Sequence, residues 1–295
     1  MRRSVLCLAR ELKTFYIKNK SVVLKITCSD AKGLIYYITK TLYRHNLNII
    51  RNDEYVDKTT GQFFMRTEFD GDTDHARIIS DLESKLPGDA RISISDTKKN
   101  KIILMASKEH HCLQDIVTRC EYGDLPAKIS CIISNHDVLK KIAERFDIPF
   151  YHVCHTQCSR TEHDNKIAEI IGQHSFDYVV LAKYMRILSP EFVQRYPNRL
   201  INIHHSFLPA FKGARPYRQA FHRGVKIIGA TAHFVNEDLD EGPIIEQETI
   251  KVNHGFSPAE LSSTGKDVER IVLARALNLV LGQRVFIHGN KTIVF

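Results

Sequence analysis

The hydrophobic positions of this chain follow two different rhythms, and the change falls near Asp96 to Lys101. Before it, VVLKITC (22–28) reads as a strand, LIYYITKTLYRHN (34–46) as an amphipathic helix, and LNIIRNDEYVD (47–57) as a second strand. A TTG turn leads into QFFMRTEF (62–69). The polar segment DGDTDHARIISDLESKLPG (70–88) then carries apolar residues at helical spacing, and RISIS (91–95) closes the unit by strict alternation. The predicted order is βαββαβ, a ferredoxin-like arrangement over residues 21–97 with an antiparallel sheet and two helices on one face.

After the break, short apolar strands alternate with helices: KIILMAS, HCLQDIVTRCEYG, KISCIISN, DVLKKIAERFD, IPFYHV, NKIAEIIGQH and DYVVLAKY. Near-continuous apolar strands in such alternation predict an α/β domain over residues 98–295, with a mostly parallel Rossmann-like sheet covered by helices on both faces. Ligands of such sheets bind at the carboxyl ends of the strands. The last long helix is marked by Ser257 and Glu260 at capping-box spacing with Pro258 at its first position, and RVFIHGNKTIVF predicts a closing hairpin around Gly289 and Asn290.

Composition narrows the classes. A chain of 295 residues suggests two domains, and no apolar run approaches the ~20 residues needed to span a bilayer. Arg10 and Glu11 interrupt the short apolar run of the first 20 residues, which are expected to be an N-terminal extension rather than a secretory signal. The net charge of +8 raises a nucleic-acid role, but the basic residues are dispersed among acids; the densest run, KKNK at 98–101, reads as a solvated linker. Seven irregularly spaced cysteines fit a reducing cytoplasm. His152, Cys154, His155, Cys158 and His163 crowd within a dozen residues but match no zinc pattern, and their charged surroundings (SRTEHDNK) predict surface residues in a loop leading into a helix; no metal is expected.

Two segments carry candidate chemistry, INIHHSFLPAFKG (201–213) and GATAHFVNEDLDEGPIIEQE (229–248). On an extended segment Asn202 and His204 share one face while Ile201 and Ile203 point into the core, and Asp240 supplies a carboxylate from the acidic loop. A neutral donor, a proton carrier and a carboxylate suffice for acyl transfer or hydrolysis. His233 on ATAHFV reads either as a core histidine or as a partner of His204, and His205 either helps admit water or packs. Where a nucleotide binder would carry a glycine-rich loop after the first strand, this chain has ASKEHHCL, which argues against a phosphate there. In the first domain, SDAKG opens a helix; Asp30, Lys32 and Gly33 either bind a small carboxylate or form a plain turn capped by Asp30.

On the residues CSDAKGLIYYITKTLYRHNLNII the first domain resembles an ACT domain, which implies an amino-acid effector and assembly into a homo-oligomer. On AKYMRILSP, INIHHSFLPAFKGARPYRQAF and GATAHFVNEDLDEGPII the second resembles the folate-dependent formyltransferase family. That resemblance implies a catalytic set of Asn202, His204 and Asp240. It places the folate against Met185, Arg186, Ile187 and Leu188, with the acidic loop of Asn236, Glu237, Asp238, Leu239 and Asp240 on the other side. His205, standing where the transformylases carry proline, and the absent glycine loop point to the hydrolytic branch. The activity so implied is hydrolysis of 10-formyltetrahydrofolate to formate and tetrahydrofolate, feeding formate to purine synthesis and balancing one-carbon pools, with no cofactor beyond the folate. Transfer to an amine acceptor such as glycinamide ribonucleotide is the alternative, and an inactive sensor the third reading.

Overall fold

The computed structural model describes residues 22–71, 74–96, 99–156, 158–210 and 216–295. The expected N-terminal extension lies outside them, as do Lys212 and Arg215. The described residues divide into two compact units, with the boundary between residues 98 and 99.

In the first unit β1 (Val22–Ser29), α1 (Leu34–Arg44), β2 (Asn48–Asp57), β3 (Gln62–Asp70), α2 (His75–Glu83) and β4 (Arg91–Asp96) follow the expected βαββαβ order. The sheet runs β2-β3-β1-β4, all antiparallel. Alternate residues Val22, Leu24, Ile26 and Cys28 turn to one face and pack with Ile38 and Leu42 of α1 and Ile78 and Leu82 of α2. The cap of α1 departs from expectation. Gly33 in the left-handed region (φ 94°) occupies it, with no side-chain cap bond, while the Asp30 amide donates to the Gly61 carbonyl at 2.7 Å. Only a residue without a Cβ takes that φ cheaply, so the turn is set by glycine rather than by Asp30.

The second unit carries a seven-stranded sheet in the order β11-β10-β9-β8-β5-β6-β7. Its strands are β5 (Asn100–Ala106), β6 (Ala127–Ser134), β7 (Phe150–His152), β8 (Tyr178–Leu181), β9 (Leu200–His204), β10 (Ile227–Phe234) and β11 (Ile244–Lys251). The first five are parallel, and β10 and β11 return antiparallel. Asn100 and Lys101, expected in a linker, open β5. That strand is buried on both faces. Ile102, Leu104 and Ala106 meet α3 (His111–Tyr122) and α8 (Pro258–Leu281), whereas Ile103 and Met105 meet α5 (Arg160–Gly172) and α6 (Pro190–Arg195).

Strands run outward from β5 in both directions, β6 and β7 to one side and β8 and β9 to the other, so a crevice opens at their carboxyl ends. α5 begins earlier than SRTEHDNK suggested: Ser159 and Glu162 form a capping box, and the polar stretch is helical. His163 on it is fully buried rather than at the surface, its Nε2 donating to the Val153 carbonyl at 3.0 Å. Two short helices complete the unit, α4 (Lys140–Arg145) and α7 (Pro216–Arg223), and β12 (Val285–His288) with β13 (Lys291–Val294) form the expected hairpin.

Candidate active site

β9 and β10 pair so that Asn202 lies opposite His233. Residues directly opposed across a sheet share a face. The alternation that buries Ile201 and Ile203 in the core therefore brings Asn202 and His204 to the side on which β10 presents His233. Asp240 reaches the same place from the loop between β10 and β11. The Phe234 amide donates to the Pro243 carbonyl at 2.9 Å, and Gly242 presses so closely on Phe234 that a Cβ there would stand 1.8 Å from its oxygen. Asp240 itself is left-handed, φ 58°, a conformation that costs a non-glycine residue on the order of 1–3 kcal/mol. Its carboxylate ends 3.2 Å from His204 Nδ1 and 3.8 Å from His233 Nε2.

Hydrogen bonding assigns the protons. His233 Nδ1 lies 2.9 Å from the Phe234 carbonyl, which can only accept, so Nδ1 carries the hydrogen. Burial pushes the His233 pKa down and keeps the ring neutral. Its Nε2 is then an acceptor and takes one N–H of the Asn202 amide at 3.2 Å. The second N–H of that amide is left for a ligand oxygen. His233 thus serves Asn202, not the ring of His204. Asp240 accepts from His204 Nδ1, and His204 Nε2 is buried with no hydrogen-bond partner among the described residues. Burial works to raise the Asp240 pKa, but the hydrogen bond and charge of His204 outweigh it and hold the carboxyl below its usual range.

These groups line a cavity of about 540 Å³. Met185 to Leu188 form one wall, the acidic loop Asn236 to Asp240 another, and His205 also borders it. Every residue expected in the catalytic domain is therefore brought to one place. Leu181, Ile203, Val193 and Val235 supply apolar surface. Tyr184 Oη and Asn236 Oδ1 on the walls, like His204 Nε2, are buried polar atoms without a partner among the described residues. Buried polar groups are ordinarily paired, so such a concentration marks where a polar ligand belongs.

Two charged lining residues escaped the reading of the sequence, Arg160 and Lys183. Arg160, in the first turn of α5, donates to the Leu188 carbonyl; the capping-box spacing of Ser159 and Glu162 is the sequence signal that marks this turn. Lys183 is left-handed (φ 65°), and its ammonium lies 3.3 Å from Glu269, a fully buried carboxylate on α8. Glu269 also accepts from Tyr217 Oη at 2.6 Å and pairs with His111 Nε2 at 2.7 Å. Tyr217 reaches it over Gly265, where any Cβ would collide with the phenol. Burial opposes ionisation of Glu269, but His111, Lys183 and Tyr217 prevail and bring its pKa down to about 2. Lys183, Tyr217 and Glu269 border a second cavity of about 650 Å³ that shares Lys183, Met185 and His205 with the first. Burial foremost, then the charge of Lys183, pushes the His205 pKa down to about 4.

His111, Cys112 and Glu269 could supply three metal ligands, their donor atoms all within 4.8 Å of one another. Glu269 is already neutralised by Lys183, and burial pushes the Cys112 thiol well above its ordinary range. The cluster reads as a charge-balanced packing element.

In the first unit, Asp30, Lys32 and Gly33 are exposed, and the adjacent Ser29 donates its amide and hydroxyl to Asp89 at 2.9 and 2.7 Å.

Residues 100–277 match the formyl transferase family. The formyltetrahydrofolate deformylase of Escherichia coli (strain K12) is 53% identical over 272 residues, 92% of this chain and 97% of that one. The crystal structure of a formyltetrahydrofolate deformylase from Pseudomonas syringae pv. tomato superimposes with a TM-score of 0.90 at 39% identity, covering 98% of this chain and 99% of the other. Glycinamide ribonucleotide transformylase 1 of Symbiobacterium toebii matches at a TM-score of 0.64 and 32% identity, over 67% of this chain and 94% of its own length. The transformylase thus leaves a third of this chain unmatched, whereas the deformylases match nearly all of it. By sequence and by structure alike, the chain belongs to the formyltetrahydrofolate deformylase family of formyl transferase proteins.

Proposed function

We propose that this protein hydrolyses 10-formyltetrahydrofolate to formate and tetrahydrofolate, with water as the acceptor of the formyl group. The observation that carries the chemistry is the convergence of Asn202, His204 and Asp240 on one folate-sized cavity, with His204 Nε2 unpartnered among the described residues and the Asn202 amide oriented by His233. The pterin ring lies against Met185, Arg186, Ile187 and Leu188, and the loop of Asn236, Glu237, Asp238 and Leu239 closes over it. Asp240, ionised near neutral pH, orients the attacking water and draws off its proton. As the new C–O bond forms, the carbonyl electrons move to the formyl oxygen, which the free N–H of Asn202 stabilises; one such donor is typically worth ~10²- to 10³-fold in rate. The proton drawn from the water is relayed to His204 Nε2, which then delivers it to the folate nitrogen, a step worth roughly 10²- to 10⁴-fold. The C–N electron pair leaves with that nitrogen, and the products are tetrahydrofolate, formate and one proton.

The amine-acceptor alternative is not favoured. His111 and Glu109 follow the first strand of the domain where a phosphate cradle would need glycine, and Glu109 takes up Lys266 at 2.7 Å. The first unit is proposed to regulate the enzyme, with Asp30, Lys32 and Gly33 meeting an amino-acid effector and its sheet assembling copies of the chain. A cytoplasmic setting suits the folate substrate, and the released formate would serve purine synthesis.

One assay tests the central reading. Purified protein is incubated with 10-formyltetrahydrofolate and no acceptor, and formate and tetrahydrofolate are measured. Equal release of both is expected; activity appearing only with an added amine would overturn it.

A further inference from the structure

The histidine-rich segment around His155 has no part in the reaction above, yet a directed chain of hydrogen bonds leads from it to the wall of the folate cavity. The wall segment leaves β8 through the left-handed Lys183. Ser107, at the end of β5, grips both sides of that turn. Its amide donates to the Lys183 carbonyl at 3.2 Å, and its hydroxyl oxygen accepts the Met185 amide at 2.9 Å. A hydroxyl has one hydrogen, and this one is given to Asn135 Oδ1 at 2.7 Å, which leaves a lone pair for Met185. Asn135, at the end of β6, is held in that orientation because its amide donates to His155 Nδ1 at 3.3 Å, just beyond β7. The His155 ring is braced edge-on by His136 and His163, with centroids 5.2 and 6.4 Å away. Ser107 and Asn135 are 3% and 4% exposed, so neither can replace its partner with bulk water.

We infer that Ser107 and Asn135, anchored by His155, are positioning residues for folate binding: through three strand ends they fix the backbone at Met185, where the ring-binding wall begins. The inference rests on the proposed role of Met185 to Leu188 as that wall. It gives the His155 segment a task in substrate affinity, without a metal.

The links act in series, which sets the test. In Ser107→Ala and in Asn135→Ala the KM for 10-formyltetrahydrofolate is expected to rise about 2- to 12-fold, the range for losing one net hydrogen bond, with kcat within about 2-fold. The double variant should be no worse than the poorer single one. His155→Phe keeps the ring contacts at a half-buried site, removes only the acceptor, and should raise KM about 2-fold. Calorimetric affinity for tetrahydrofolate should weaken in parallel, which reads the wall without turnover. Unchanged KM and affinity in folded Ser107→Ala and His155→Phe, or effects that multiply in the double variant, would overturn the inference. Loss of acceptor-free turnover in the unmodified protein would instead overturn the hydrolytic reading.

Discussion

Asp240, half-buried, and Glu269, fully buried, are carboxylates bordering neighbouring cavities of one domain, and they are held in opposite ways. Glu269 sits in the middle of a long helix and receives His111, Lys183 and Tyr217, so its charge is spoken for. Asp240 sits on a loop, in a backbone conformation it does not prefer, facing a histidine whose other nitrogen has no partner among the described residues. A carboxylate with every lone pair satisfied holds structure; one with a strained backbone and an unfinished network is held ready for a substrate.

Exchanging the demands on the two carboxylates should break this contrast. Asp240→Asn is expected to lower turnover by at least ~10²-fold with the fold retained, since asparagine tolerates the left-handed conformation and only the charge is lost. Melting curves and kcat together check it; near-wild-type turnover removes Asp240 from the mechanism. Asn202→Ala should cost ~10²- to 10³-fold in kcat, read at saturating folate, because the developing oxyanion loses its donor.

Glu269→Ala should do the reverse. It strands Lys183 without its counter-ion and is expected to lose about 3–5 kcal/mol of stability in denaturant titrations, with turnover per folded molecule far less affected than in Asp240→Asn. Its pH dependence follows in sign. The folded carboxyl titrates at about 2 against an ordinary 4.5, so its contribution is fully present above about pH 4.5 and fades as pH falls toward 2. The stability gap between wild type and Glu269→Ala should therefore narrow in acid, and a constant gap from pH 7 to 3 would contradict the pairing. The smallest effect is expected from His205→Gln. The ring is neutral well above pH 4, so the pH profile of kcat between 6 and 8 should not shift.

The contrast also explains what could be read from sequence. Period-two alternation places Asn202 and His204 on one face because it is local, and the capping box at Ser257 is local too. The partner of His233 is set by the register between two strands thirty residues apart, which no local pattern encodes, so Asn202 could not be told from His204. The polar stretch SRTEHDNK hid a helix because burial of His163 and Asp164 depends on what packs over them. Glu269 gave no signal at all: a glutamate at helical spacing reads as solvated until His111, Lys183 and Tyr217 converge on it from three other segments.

The antiparallel pairing of β9 with β10 has a consequence for which changes this family can tolerate. Substitutions in the loops around the cavity alter its fit, but the pairing behaves like a reading frame. Inserting or deleting one residue in β10 would set Ala232 or Phe234 under Asn202 and turn the proton-handling face into plain hydrocarbon. The slip between Ala232 and His233 on the β11 side shows where such a frame error is absorbed, on the far edge, away from the strand that carries the reaction.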